Sequence, residues 1–243
     1  MKPVIIIQAR AGSKRFPGKV LAELVEKNVL YYVTRRCQLS KKQKDIVIAT
    51  TKHKRDDPVA IYGNSLGVKI YRGSEDDVLK RFVEAAIMVK ADPIIRICAD
   101  SPIVDPHIID ECIDLYIKKN VDYLFIKGYP RGMGAEIVSF RALQQSLNET
   151  LPKDTFFREH VITYVVDHPE KFSLNIIEAP KKYQRPNFRL CVDEKKDLEV
   201  INHVCSHFYP RLDFTTQEVI DFLDKNSKIA SINRDVKQKN EKY

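Results

Sequence analysis

The sequence predicts a single α/β domain with a mainly parallel, mixed sheet flanked by helices. Three observations carry this. Short apolar runs rich in β-branched residues alternate with longer segments of helical periodicity. Helix-opening signals stand between them, Asp57-Pro58 and Asp105-Pro106 being the clearest. The 243 residues contain no internal repeat, low-complexity block or linker, and they suffice for one sizeable core. Strands alternating with helices pair in parallel through crossovers. Such sheets gather ligands at the carboxyl ends of their strands.

Residues 3–8 read as a buried strand, because Val4-Ile5-Ile6-Ile7 is apolar on both faces. A loop and a helix over 28–39 follow, then a strand over 45–50. Asp57, as N-cap with Pro58 behind it, opens a helix that runs to 66. Residues 68–71 form a third strand. Ser74 with Asp77 fits a capping box for a helix carrying Val78, Leu79, Phe82, Val83 and Ala86 on one face. A fourth strand spans 93–98. The helix after Asp105-Pro106 turns Ile109, Cys112, Ile113 and Tyr116 inward, and a fifth strand covers 121–126. The second half is less regular: strands over 135–140, 173–178 and 188–192, and helices up to 149 and over 156–166, 195–208 and 216–223. The domain is expected over 1–225, with 226–243 a solvated, basic tail.

The net charge of +8 is uneven. Residues 1–20 hold Lys2, Arg10, Lys14, Arg15 and Lys19 without an acid, the rest of the excess lies beyond 225, and 21–225 is neutral overall. A nucleic-acid binder spreads positive charge over a face; a single cationic loop suits a small polyanion. No apolar run approaches the length of a bilayer span, and the run over 4–7 is too short for a signal peptide. The expectation is a cytoplasmic protein with neither nucleic-acid nor membrane partners. Five widely spaced cysteines without a C-x-x-C pair argue against a disulfide framework or structural zinc.

The cations sit in Gln8-Ala9-Arg10-Ala11-Gly12-Ser13-Lys14-Arg15-Phe16-Pro17-Gly18-Lys19, directly after the first strand. Gly12 permits a turn and close backbone approach, and Ser13 adds a donor. Arg10, Arg15 and Lys19 are suited to a triphosphate. The spacing is neither a Walker loop nor a dinucleotide fingerprint. A basic surface loop is the plain alternative; five cations around a glycine turn at a strand end favour phosphate.

This opening resembles that of the cytidylyltransferases that make CMP-activated sugar acids, in particular the spore-coat polysaccharide biosynthesis protein F branch. Related branches activate 3-deoxy-manno-octulosonate and sialic-type acids. The likeness continues through Ile48-Ala49-Thr50-Thr51, the run from Tyr71 to Leu79, Ala99-Asp100-Ser101-Pro102, Arg158-Glu159-His160-Val161 and Val192-Asp193, covering roughly residues 3–210. It implies a Rossmann-like fold of the nucleotide-diphospho-sugar transferase type, a homodimer, Mg²⁺ as cofactor, and CTP and a small anionic acceptor as partners.

Carried over residue by residue, the resemblance makes Arg10, Lys19 and Asp100 catalytic. The nucleotide falls to Ala9, Arg10, Gly12, Ser13, Arg15 and Lys19, with Thr50, Arg72 and Ser74 at the base and ribose. Asp100, two residues past a strand end, is the expected Mg²⁺ ligand, the alternative being a turn residue before Pro102. Asp193 completes the metal site in the octulosonate branch; here it is equally suited to cap the helix over 195–208. Acceptor candidates are Glu136, Arg158, His160 and Tyr164, the last two alternatively packing or interface residues. Around Gly134 and Ala135 the branch often carries an acid that this sequence lacks, which suggests a more anionic acceptor. No D-x-D motif of metal-dependent glycosyltransferases occurs.

Overall fold

The computed structural model describes residues 1–237. β1 (Val4–Gln8) leads through a loop to a two-stranded ribbon, β2 (Glu23–Leu24) and β3 (Lys27–Asn28). Next come α1 (Val29–Gln38), β4 (Asp45–Thr51), α2 (Asp57–Ser65), β5 (Lys69–Gly73), α3 (Val78–Val89), β6 (Ile94–Cys98) and α4 (Pro106–Lys119). The second half contributes β7 (Tyr123–Lys127), β8 (Glu136–Val138), α5 (Phe140–Glu149), α6 (Thr155–Glu159), α7 (Thr163–Asp167) and β9 (Leu174–Glu178). It ends in α8 (Lys195–Phe208), α9 (Thr216–Lys225) and α10 (Ser227–Ala230).

Seven strands form one sheet in the order β5-β4-β1-β6-β8-β7-β9. β5, β4, β1 and β6 are parallel; β8 lies antiparallel to both β6 and β7, and β9 is parallel to β7. The expected mainly parallel, mixed sheet is what forms. Its two faces follow the period of two in each strand. Ile5 and Ile7 of β1 join the core beneath α1, α4, α8 and α9, while Val4 and Ile6 join the one beneath α3, α5 and α7. All four are fully buried, each stabilising the fold by about 1.5–3 kcal/mol relative to exposure.

Several local expectations shift. Asp57 lies inside α2; Asp56 precedes the helix, with its carboxylate engaged elsewhere. Asp77, rather than Ser74, caps α3 by accepting from Lys80 N at 2.9 Å, and Ser74 Oγ accepts from Asp77 N at 3.1 Å. Asp105 caps α4 through His107 N as expected. The helix over 156–166 is broken in two at His160, whose φ of −101° and ψ of 68° leave the helical region.

Residues 188–192 form no strand. They run past the sheet, Arg189 forming an isolated bridge with Arg131 of the loop between β7 and β8, and Val192 N donates to Asp100 O at 2.7 Å. This contact draws the next residue, Asp193, over the end of β6. The solvated tail is also corrected: Ile229, Ala230 and Ile232 pack on the core, and Asn233 is 3% exposed. The rest of that expectation, at 238–243, lies outside the described residues.

Candidate active site

The loop after β1 folds back on one carbonyl. Ala11 O accepts from Ser13 N and Gly18 N, both at 2.9 Å. Asp56 holds the loop against β4: Oδ1 accepts from Ala11 N at 2.6 Å, and Oδ2 accepts the Thr51 hydroxyl. Ala9 is buried, its N–H donating to Ala49 O. The left-handed turn falls at Gly18, with φ of 73°, rather than at Gly12. Gly12 supplies clearance instead, since a Cβ there would lie 2.5 Å from the Arg55 guanidinium.

Gly18 starts a single 3-10 turn, Lys19–Leu21, that sends Lys19 inward. Lys19 is 9% exposed, and its Nζ lies 2.8 Å from both Asp100 Oδ2 and Asp193 Oδ1. The other Asp193 oxygen meets Arg15 Nη2 at 2.9 Å and the Arg189 guanidinium. Burial opposes the charge of Lys19, but Asp100 and Asp193 outweigh it and hold the ammonium above its ordinary value. Burial likewise works against the Asp193 carboxylate. Lys19, Arg15 and Arg189 overcome it and bring Asp193 down to about 2.

Asp193 does not cap α8. Glu194 occupies that position, and Asp197 Oδ2 accepts from the N–H groups of Asp193 and Glu194, both at 2.9 Å. Arg10 stands at the rim, 3.7 Å from Glu75 and 4.0 Å from Glu159. Ser13 Oγ accepts from Phe16 N at 3.4 Å within the loop. The structure therefore brings Arg10, Arg15, Lys19, Asp100 and Asp193 to one end of the sheet.

It does not bring every candidate there by its side chain. Thr50 is fully buried. Arg72 donates to Thr51 O and His53 O and pairs with Asp57, bracing the turn after β4. Ser74 is committed to the start of α3. Glu136 pairs with Arg96 at 2.5 Å and accepts from the Tyr123 hydroxyl; through Arg96 it adjoins Gln8, the last residue of β1. Arg158 is 7% exposed, bound to Asp77 at 2.9 Å and to the carbonyls of Leu147 and Thr150. His160 lies against Phe156. Tyr164 stacks on His168 with ring centroids 3.9 Å apart and donates to Glu149 at 2.7 Å. Arg158 and Tyr164 tie neighbouring helices together, and His160 packs on its own helix.

Asp100 and Asp193 already bring two oxygens to a single cation, the ammonium of Lys19. Among the described residues no group of three or more His, Cys, Asp or Glu side chains forms a metal cage. Two carboxylates without a third protein ligand fit Mg²⁺, which takes one or two carboxylates and completes its shell with water and substrate phosphates.

A family model described as Cytidylyltransferase matches residues 4–229. The chain belongs to the cytidylyltransferase family. The match takes in every site residue from Arg10 to Asp193. An uncharacterized protein of Methanocaldococcus jannaschii, MJ1063, is 38% identical over 239 residues, covering 98% of this chain and 97% of its own. The spore coat polysaccharide biosynthesis protein SpsF of Bacillus subtilis is 34% identical over 232 residues, covering 94% and 96%. A solved cytidylyltransferase from Leptospira borgpetersenii superposes with a TM-score of 0.88 at 29% identity, over 99% of this chain and 100% of that one.

In this cytidylyltransferase, sequence reasoning missed Arg189 and Asp197. Arg189 lies four residues before Asp193, an even spacing that places both on one side of an extended segment. Asp197 lies at the third position of α8, where an acid completes a capping box. Among the described residues no helix is long and apolar enough to cross a membrane.

Proposed function

We propose that this cytidylyltransferase transfers CMP from CTP to a small anionic acceptor in an Mg²⁺-dependent reaction that releases pyrophosphate. The observation that carries the reading is the Lys19 ammonium held between Asp100 and Asp193 at the mouth of a cationic loop. A nucleoside triphosphate needs this combination: cations for its β- and γ-phosphates, and carboxylates for the metal at its α-phosphate. An acceptor oxygen attacks the α-phosphorus. The new P–O bond forms as the bond to the β-phosphate oxygen breaks, its electron pair leaves on pyrophosphate, and a proton carried by a hydroxyl acceptor passes to water, an anionic phosphate or phosphonate oxygen having none to lose.

Arg10, Arg15 and Lys19 bind the triphosphate and stabilise the charge that develops on the leaving group. Asp100 and Asp193 would hold Mg²⁺. When bound, the ion supplies Lewis-acid stabilisation at the α-phosphate. Glu136 is the acceptor candidate linked, through Arg96, to Gln8 at the end of β1. The resemblance to enzymes of CMP-activated sugar acids supports a sugar acid, sugar phosphate or phosphonate as acceptor. It also supports a cytoplasmic homodimer working in surface polysaccharide or glycoconjugate synthesis.

The test is pyrophosphate release from CTP with Mg²⁺ across a panel of sugar acids, sugar phosphates and phosphonates, with mass detection of the CMP ester. Turnover of CTP with at least one acceptor is expected. Release from UTP, ATP or GTP in preference to CTP would overturn the assignment.

A further inference from the structure

Lys19 occupies the point at which the two carboxylates converge, and little remains there for another cation. Both Asp193 oxygens are engaged, Oδ1 by Lys19 and Oδ2 by Arg15 and Arg189. Asp100 Oδ2 faces Lys19, and Oδ1 has only the Ser101 hydroxyl at 3.4 Å. The Cys191 thiol lies 3.9 Å from Asp193 Oδ2, but among the described residues no third carboxylate, histidine or cysteine completes a metal-holding group with them. Mg²⁺ demands near-octahedral oxygen coordination and gives up its water reluctantly. Arriving alone, it would exchange water for two carboxylates already neutralised by an ammonium and two guanidiniums.

We propose that Lys19 is the resting occupant of the cation position, so that the divalent ion enters only with or after a nucleotide whose phosphates draw the ammonium away. The inference rests on the function proposed above and concerns the regulation of the same site. Lys19 is built for the exchange. Its ammonium is a compact point charge on a flexible four-carbon stem, free to swing without a backbone change. Triphosphate oxygens compete with the carboxylates for Lys19 and Arg15, and they supply the ligands that the protein lacks. The coupling is reciprocal: nucleotide tightens divalent binding by the factor by which the ion tightens nucleotide binding. The bridge also keeps two facing carboxylates neutralised while the site is empty of substrate.

Mn²⁺ serves as the probe, titrated into nucleotide-free protein and read by the electron paramagnetic resonance of the free ion. Lys19→Met keeps the length of the stem and removes the charge. It should bind Mn²⁺ on the order of tenfold more tightly than the wild type, and Lys19→Met combined with Asp100→Asn should lose that gain. Equal Mn²⁺ affinity in wild type and Lys19→Met, or a folded Lys19→Met that takes up no Mn²⁺, overturns the proposal.

A second measurement needs no Lys19 variant. The wild-type melting temperature should rise with Mg²⁺ plus a non-hydrolysable CTP analogue by more than the separate rises combined. A rise of the same size with Mg²⁺ alone, abolished in Asp100→Asn, overturns the proposal. Failure here is separable from failure of the proposed function. A wild type that releases pyrophosphate from CTP but fails the Mn²⁺ comparison keeps its function and loses the exchange. One that releases none with any acceptor loses the function itself.

Discussion

One oxygen of the Asp197 carboxylate accepts the backbone N–H of Asp193 at 2.9 Å, so a fully buried residue sets the position of a proposed metal ligand. The same carboxylate accepts from Glu194 N, Arg189 Nε and Asn233 Nδ2. Removing it takes the partner from Nε of a largely buried guanidinium, which keeps its contact with Asp193, and strips the acceptor from two backbone N–H groups. Asp197→Ala should cost on the order of 3 kcal/mol, and the folded fraction should turn over slowly. Urea unfolding and activity per folded molecule test this; a stable, fully active Asp197→Ala would mean that the segment is held by other contacts.

Arg10 gives the opposite pattern. Its guanidinium is a third exposed and loosely paired, at 3.7 and 4.0 Å. Arg10→Ala should leave stability within about 0.5 kcal/mol of wild type, yet lower turnover by about 10²- to 10³-fold. Calorimetric melting and steady-state kinetics separate the two effects. Near-normal turnover would remove Arg10 from the phosphate site.

Asp193 carries a signature in acid. Its ordinary carboxylate value of 3.8 is lowered to about 2 in the fold. A group depressed in the folded state stabilises above its unfolded pKa, and that contribution fades as the pH falls through the folded value. Wild-type stability in EDTA should therefore drop between about pH 4 and pH 2 more steeply than that of Asp193→Asn. Melting temperatures across that range read the difference. Because Glu194 caps α8, Asp193→Asn and Asp193→Ala should lose activity alike, with no stability gap of the kind a lost cap produces. A markedly less stable alanine variant would restore Asp193 to the helix end.

Arg158 and Tyr164 should behave as struts. Tyr164→Phe gives up the hydrogen bond to Glu149 and should cost about 1 kcal/mol while leaving kcat and the acceptor KM unchanged. Arg158→Ala breaks the pair with Asp77 and strands two carbonyls, for on the order of 3 kcal/mol. A raised acceptor KM in a stable Tyr164→Phe would return that residue to the acceptor pocket.

The parts of the fold that depend on local pattern were legible in the sequence. Val4-Ile5-Ile6-Ile7 has no stable alternative to a buried strand, and Asp105 announces α4 because its capping chemistry is contained within a few residues. The cationic loop after β1 could be read from its cations, its glycines and its place after an apolar strand. What escaped depends on distant partners. The stretch over 188–192 has the composition of a strand, but Val192 N is taken by Asp100 O instead of a neighbouring strand. The helix over 156–166 has continuous helical composition, yet it breaks just after Arg158, which is tied to Asp77 and to the Leu147 and Thr150 carbonyls at the end of α5. The Arg72 side chain ends a strand as expected; its commitment to Thr51 O and His53 O becomes visible only once β4 and β5 are paired.

Asn233 donates to Arg189 O and to Asp197, and Arg15 reaches Lys237 O. The segment after α9 thus braces from behind the same charged cluster that the loop following β1 meets from the front. A truncation after residue 225 would keep the sheet and the fully buried residues of both cores, losing the flank that Ile229, Ala230 and Ile232 cover. It would remove the wedge behind Arg189, so catalysis should fail before folding does. Purification handles and fluorescent fusions are better placed at the first residue, where Met1 is exposed, than spliced next to Asn233.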